Sequence, residues 1–437
     1  MDKITVACIQ QKMHLPQDLA EYRADLDRFA RVAQAKNARL VIFPELAGMM
    51  VVPPLLVGGK ANLLKRTALG QRRSASLWQK LSGSMAGTLA RWAKADLRTL
   101  VSGLLDTTPE AAWTAYAETF GGLAKQFGLT VVAPSAYLPD PADGVIRNLA
   151  GVFGPSGELL GTQAKVILHR EDVGLAEPGA TWDVISTEVG RIGLMLGGDV
   201  LYPEVGRLLA YQGAEILIAQ GAAPDVILYN KLRSAMLARM QDNQLFGAIS
   251  FVVGSNELGQ QPADGGERTA YVGKSAIFAP QELTPRYSGV LVEMGNHRSE
   301  GVLAAEWDFV ALKALWESSD TPIRNQLPQA SQALAQLYQR LQSLPRSMDE
   351  MALLPAESNP LAALPGPAEE AHSLDELPVL ASVTARWPLD MAHAAGDADD
   401  LGHETILADV IGGEDEADPV PAPRNEADET DEMDVIP

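Results

Sequence analysis

Apolar positions in the first three hundred residues fall into two alternating kinds of run. Short aliphatic and β-branched stretches at 4–10, 39–46, 129–138, 149–157, 191–199, 214–221, 249–258 and 275–281 predict strands. Between them, Leu19, Tyr22, Leu26, Phe29 and Val32 recur at three- and four-residue spacing, which predicts an amphipathic helix over Leu19–Ala35. Helical patterns also cover 203–212, opened by Pro203, and 228–243. Strands this apolar, alternating with helices, predict an α/β layered domain whose sheets are covered by helices.

Two regions break the alternation. From Ala47 to Gly128 the pattern is mostly helical, and 51–98 holds nine Lys and Arg against one acid, Asp96. This reads as a helical insert over about 49–126 with a solvated basic face; contact with an anionic surface and docking of an acidic segment are the alternatives. No motif for specific nucleic-acid binding accompanies the charge. Beyond residue 308, Leu334, Leu337, Leu341 and Leu344 predict a helix over 329–343 within an extension at 309–346. From 347 to 437 Pro, Asp and Glu take over, too polar a mixture to offset the entropy of ordering, so a disordered tail is expected.

Charge supports that division. The 437 residues carry a net charge of −21, and 366–437 contain 20 acidic residues and 2 Arg, a net of −18. The remaining 365 residues are therefore nearly neutral, at −3. The tail and the basic insert are complementary in sign and could dock on one another. A single cysteine, Cys8, excludes an intrachain disulfide, and mid-strand in an apolar run it reads as a core residue. His14, His169, His297, His372, His393 and His403 show no zinc spacing, and no cofactor is indicated. No apolar run reaches 18 residues and no signal pattern opens the chain, so a cytoplasmic location is expected.

Three segments concentrate chemistry. The first, 41–46 (VIFPEL), ends a strand with the carboxylate of Glu45. The second, 148–169, reads as two strands joined by a glycine turn with Lys165 after the second. The third, 190–204 (GRIGLMLGGDVLYPE), reads as a strand, a tight turn and a helix. In this order, with Arg239 to Asn243, Asn256, Gly259 and 273–280 behind them, they make the chain resemble the nitrilase, or carbon–nitrogen hydrolase, superfamily from about Ile4 to Asp308.

The resemblance implies an α-β-β-α sandwich of four layers, in a homodimer or larger homo-oligomer, that hydrolyses amides or nitriles with a Cys–Glu–Lys triad. A thiolate would attack carbon, a carboxylate would move the protons, and an ammonium with a backbone N–H would hold the developing charge. By motif match Glu45 is the base and Lys165 the cation; Glu171 is the candidate second carboxylate, with Asp172 as its competitor. The match fails at the nucleophile. Gly193, Asp199, Pro203 and Glu204 fix the register, and Gly197 stands at the cysteine position. The expectation is a protein that binds a small amide, nitrile or carboxylate, or a partner, without cleaving a C–N bond. The alternative is hydrolysis by water that Glu45 activates directly.

Overall fold

The computed structural model describes residues 2–52, 105, 109–256, 270–318 and 332. The basic stretch 53–98, Gly259 and the tail 347–437 lie outside the described residues, as does the helix expected over 329–343 apart from residue 332.

Strand β1 (Lys3–Met13) is the axis of the fold. It pairs in parallel with β2 (Ala38–Ile42) and antiparallel with β13 (Gly301–Asp308), and its last residues, Gln11 to Met13, pair in parallel with Val252 to Gly254 of β10 (Phe246–Gly254). On the β2 side follow β3 (Thr130–Val132), β5 (Ile146–Phe153) and β4 (Ala136–Pro139), with β6 (Leu159–Ala164) also on β5. On the β10 side lie β9 (Ile216–Ala222), β8 (Gly190–Leu196) and β7 (Val184–Thr187), and β11 (Ala276–Phe278) joins β12 (Val290–Glu293) to β10. The result is one large curled mixed sheet of thirteen strands whose halves are joined by strand pairing at the end of β1.

The period of two along a strand sends neighbouring side chains to opposite faces, and here each face has its own core. Ile4, Val6 and Cys8 of β1 share a cluster with Leu40 and Ile42 of β2 and with Ile192, Leu194, Ile216 and Ile218 of the other half. Ala7, Ile9 and Val41 point the other way, against α1 (Leu19–Ala35) and α2 (Pro109–Phe127). Leu217 and Ala219 of β9 pack with residues of α3 (Pro203–Tyr211) and α4 (Val226–Asn243). The end of the sequence-defined insert thus lies in a core, since Tyr116 and Phe120 of α2 are fully buried. A last helix, α5 (Phe309–Ser318), follows β13.

Local chemistry explains the helix ends. The Asp18 carboxylate accepts from Ala20 N and Glu21 N, both at 2.9 Å, and caps α1. Asn37, at φ +57°, turns the chain out of α1 in a conformation that Asn tolerates. Asp225 caps α4 through Leu228 N at 2.7 Å. Strands β7, β12 and β13 are elements that the pattern does not announce, and β13 matters most. Its Leu303 and Trp307 enter the core between the halves, where Trp307 stacks on Phe246 at 5.3 Å between ring centroids. Replacing Phe246 by Ala leaves a cavity against that ring and should lower unfolding free energy by about 3–5 kcal/mol, measured by denaturant titration.

Candidate functional site

Three strand ends deliver the site. Glu45 follows β2 by three residues, Lys165 immediately follows β6, and Gly197 immediately follows β8. Gln220 of β9 fastens the halves beside them: its Nε2 donates to the carbonyls of Phe43 at 2.7 Å and Ala133 at 2.8 Å. Beyond Glu45 the chain turns sharply. Leu46 takes φ +60°, a conformation that costs a residue with a side chain about 1–2 kcal/mol, and its N–H donates to Ser135 Oγ at 3.0 Å. Such strain collects where the surrounding structure must aim a functional group.

The Lys165 ammonium sits between two carboxylates. Its Nζ lies 2.8 Å from Glu45 Oε1 and 2.7 Å from Asp172 Oδ2, and all three residues are at most 2% exposed. Asn148 of β5 bridges the same acids, donating through Nδ2 at 3.2 Å to Glu45 Oε1 and to Asp172 Oδ1. Asp172 gains two further donors, Tyr137 OH at 3.1 Å and His169 N at 2.8 Å. Glu171 points elsewhere and accepts from Asn256 Nδ2 at 3.1 Å and Tyr271 OH at 3.3 Å. Of the two carboxylates that the sequence leaves open, Asp172 is the one on the lysine.

One positive charge cannot neutralise two buried negative ones, and the hydrogen bonds decide which acid yields. Burial opposes the charge on Asp172, but Lys165 and the donated hydrogen bonds hold its carboxyl below the usual range. Burial pushes Glu45 up to about 7 against the pull of Lys165, with Asp172 and Glu171 adding repulsion. Among the described residues Glu45 Oε2 has no hydrogen-bond partner, which leaves it as the atom to carry the proton. Burial also works against the Lys165 ammonium, but Glu45 and Asp172 outweigh it and raise its pKa.

Gly197 adopts φ +51°, and a Cβ built there would lie 2.8 Å and 2.9 Å from the Glu45 carboxyl oxygens and 2.9 Å from Lys165 Nζ. The Glu45–Lys165 pair therefore occupies the space into which a side chain would grow. Gly198 is equally confined, its Cβ position lying 2.6 Å from His169 Nε2. Asp199 clamps the turn: it accepts from Leu196 N at 3.3 Å and Ile167 N at 2.8 Å, which ties the loop after Lys165 to the strand end at Gly197. Cys8 belongs to the core between the halves. Its thiol donates to the Ile249 carbonyl at 3.3 Å, and burial pushes it up to about 12.

The geometry thus gathers Glu45, Lys165 and Gly197 and adds Asp172, Asn148, Tyr137 and His169. Asn148 opens the second motif and His169 closes it, so their places were visible in the sequence though not their roles; Tyr137 carries no local signal. Among the described residues no group of three or more His, Cys, Asp or Glu is arranged to hold a metal ion. No described helix is long and apolar enough to cross a membrane.

The raised Glu45 carboxyl makes a prediction about pH. Between its ordinary value of 4.5 and about 7 the folded chain keeps a proton that the unfolded chain has released. Stability linked to this group is therefore full below that window and falls as pH rises through it. Glu45→Gln should remove that dependence, so the melting temperature of the variant minus that of wild type should increase from pH 5 to pH 8.

Comparison with known proteins places the chain. The carbon-nitrogen hydrolase family model matches residues 5–315. Omega-amidase NIT2-A of Xenopus laevis is 27% identical over 232 residues, covering 51% of this chain and 74% of that protein. A probable hydrolase of Bacillus subtilis, YhcX, is 26% identical over 203 residues, 45% of this chain and 37% of that one. The crystal structure of a carbon-nitrogen hydrolase from Helicobacter pylori G27 superposes with a TM-score of 0.51 at 19% identity, over 74% of this chain and 94% of that chain, a likeness of fold. The chain belongs to the carbon-nitrogen hydrolase family.

Proposed function

We propose that this family member does not cleave C–N bonds and keeps the helix–sheet–sheet–helix fold as a binding protein. One observation carries the reading: at the position that matches the family cysteine stands a glycine at φ +51°, with Glu45 and Lys165 closed around its missing side chain. Loss of a hydrolase nucleophile removes about a million-fold of turnover in a well-studied case, which leaves little useful activity. In this reading Glu45, Lys165 and Asp172 hold charge and shape, with Glu171 a neighbour that restrains Asn256 and Tyr271. Of the small ligands that fit the family chemistry, an amide is favoured over a nitrile or carboxylate. It brings both a carbonyl to accept the proton that Glu45 Oε2 carries and N–H donors for that oxygen once the proton is lost, and Oε2 has no partner among the described residues.

Ammonia release from a panel of amides and nitriles tests the reading. Wild type should be silent. Gly197→Cys should lower the melting temperature, because its side chain must displace the Glu45–Lys165 pair in a backbone conformation that costs about 1–2 kcal/mol. Any ammonia that Gly197→Cys releases should vanish in Glu45→Ala/Gly197→Cys. Wild-type release abolished by Glu45→Ala would overturn the proposal in favour of water activated by Glu45, a base suited to neutral pH.

The charge pattern supports a second, independent part of the proposal, in which the acidic tail (−18) docks on the basic stretch 51–98 (+8). Truncation after Pro365 should then strengthen binding to heparin or anionic vesicles at low salt, with the gain lost at high salt.

A further inference from the structure

Helices α1 and α2 lie side by side, with Gln126 Nε2 donating to Asp27 Oδ2 at 3.1 Å and Tyr22 edge-on to Phe120 at 6.3 Å between ring centroids. Two adjacent glycines on α2 have different surroundings. At Gly121 a Cβ would lie 2.8 Å from the Gly157 carbonyl oxygen, so close packing of the helix on the β5–β6 turn requires glycine there. At Gly122 a Cβ would meet nothing within 4 Å, and a glycine inside a helix weakens it. Packing thus explains the first glycine and leaves the second without a local reason. Gly122 lines a cavity of about 280 Å³ between the two helices.

The cavity has an apolar part and a polar one. Leu26 and Leu123 supply the first, and both belong to the core beneath the helices. Thr119 lines the cavity as well and is 3% exposed, yet its Oγ1 has no hydrogen-bond partner among the described residues. The hydroxyl does not turn back to the carbonyl one turn earlier, the usual outlet for a threonine in a helix. A buried hydroxyl left without a partner is costly, and a ligand's polar atom would remove that cost. The rim carries opposite charges. Arg23 of α1 and Glu118 of α2 are exposed, and among the described residues neither side chain has a hydrogen-bond or ion-pair partner. Asp27 is already engaged, by Gln126 Nε2 and by Arg31 Nη2 at 3.7 Å.

We propose that this cavity is a binding site for a free apolar α-amino acid. The ligand carboxylate meets the planar fork of Arg23, its ammonium meets Glu118, and its hydrocarbon side chain lies over Gly122 against Leu26 and Leu123. Charge selects the class. A simple carboxylate would bring a negative charge beside Glu118 and Asp27, and a simple amine would bring a positive one beside Arg23. A zwitterion gives both free rim charges a partner and adds no net charge. The volume stands at the lower edge of the ~300–1,000 Å³ usual for small-molecule pockets, which suits one amino acid rather than a peptide. No residue lining the cavity belongs to the Glu45–Lys165–Asp172 cluster, so the inference goes beyond the preceding reading and does not depend on it.

The probes are L-alanine, L-valine, L-leucine and L-methionine, titrated against the full chain by ligand-observed NMR. At least one should bind saturably. The amide of that amino acid, which lacks the carboxylate, and its deamino acid, which lacks the ammonium, should each bind about fivefold more weakly or worse. Arg23→Gln and Glu118→Gln should weaken the amino acid by a similar factor. Gly122→Met puts a side chain into open space, so it should abolish binding while the melting temperature stays at or above that of wild type. That pairing separates a filled site from a damaged fold. Saturable binding of none of the four, undiminished binding to Gly122→Met, or equal affinity for the amide or the deamino acid would overturn the proposal.

Discussion

A single buried ammonium that serves two buried carboxylates sets the terms for everything around it. Taking such groups out of water costs several kcal/mol per ion, and attraction repays it only where the remaining polar atoms are bonded. Asp172 meets that condition with four donors, Lys165, Asn148, Tyr137 and the His169 backbone. Glu45 has two, Lys165 and Asn148, and one oxygen is left over. The imbalance places the proton. Asp172 stays ionised with Lys165, and Glu45 becomes the acid that responds to pH near neutrality.

The backbone is built to keep that cluster closed. Asp199 holds the loop after Lys165 against the strand end at Gly197, Gln220 fixes the end of β2 just before Glu45, and Leu46 accepts a strained turn to aim the carboxyl. Against this rigid frame the two glycines do different work. Gly197 relieves a left-handed conformation and yields its side-chain space to Glu45 and Lys165, whereas Gly198 yields its space to the His169 ring. The turn therefore packs without a side chain at 197, because that volume is filled by charged groups already anchored elsewhere.

Residues of the site come from four separated stretches of chain, 45, 137–148, 165–172 and 197–199, and they differ in how far local sequence exposes them. Glu45 ends an apolar strand at a proline and Lys165 ends a hairpin, so each stands out as a charge where a buried run stops. Gly197 shows itself only through its neighbours Gly193, Asp199 and Pro203. Glu171 and Asp172 are adjacent in a loop without periodicity, and pattern alone gives no reason to prefer either. Strand β13 stayed hidden because its alternation is short and runs into a helix, and it becomes a strand only through residue-by-residue pairing with β1.

What the sequence determined by itself was most of the order of strands and helices and the resemblance to the carbon–nitrogen hydrolase family, since periodicity and spacing are local properties of the chain. Tertiary structure alone decided that Asp172 rather than Glu171 meets Lys165, that Glu45 holds the surplus proton, and that His169 leans on Gly198. Those outcomes depend on distances between residues remote in sequence and on how completely water is excluded from them, and neither quantity is written in any local run of residues.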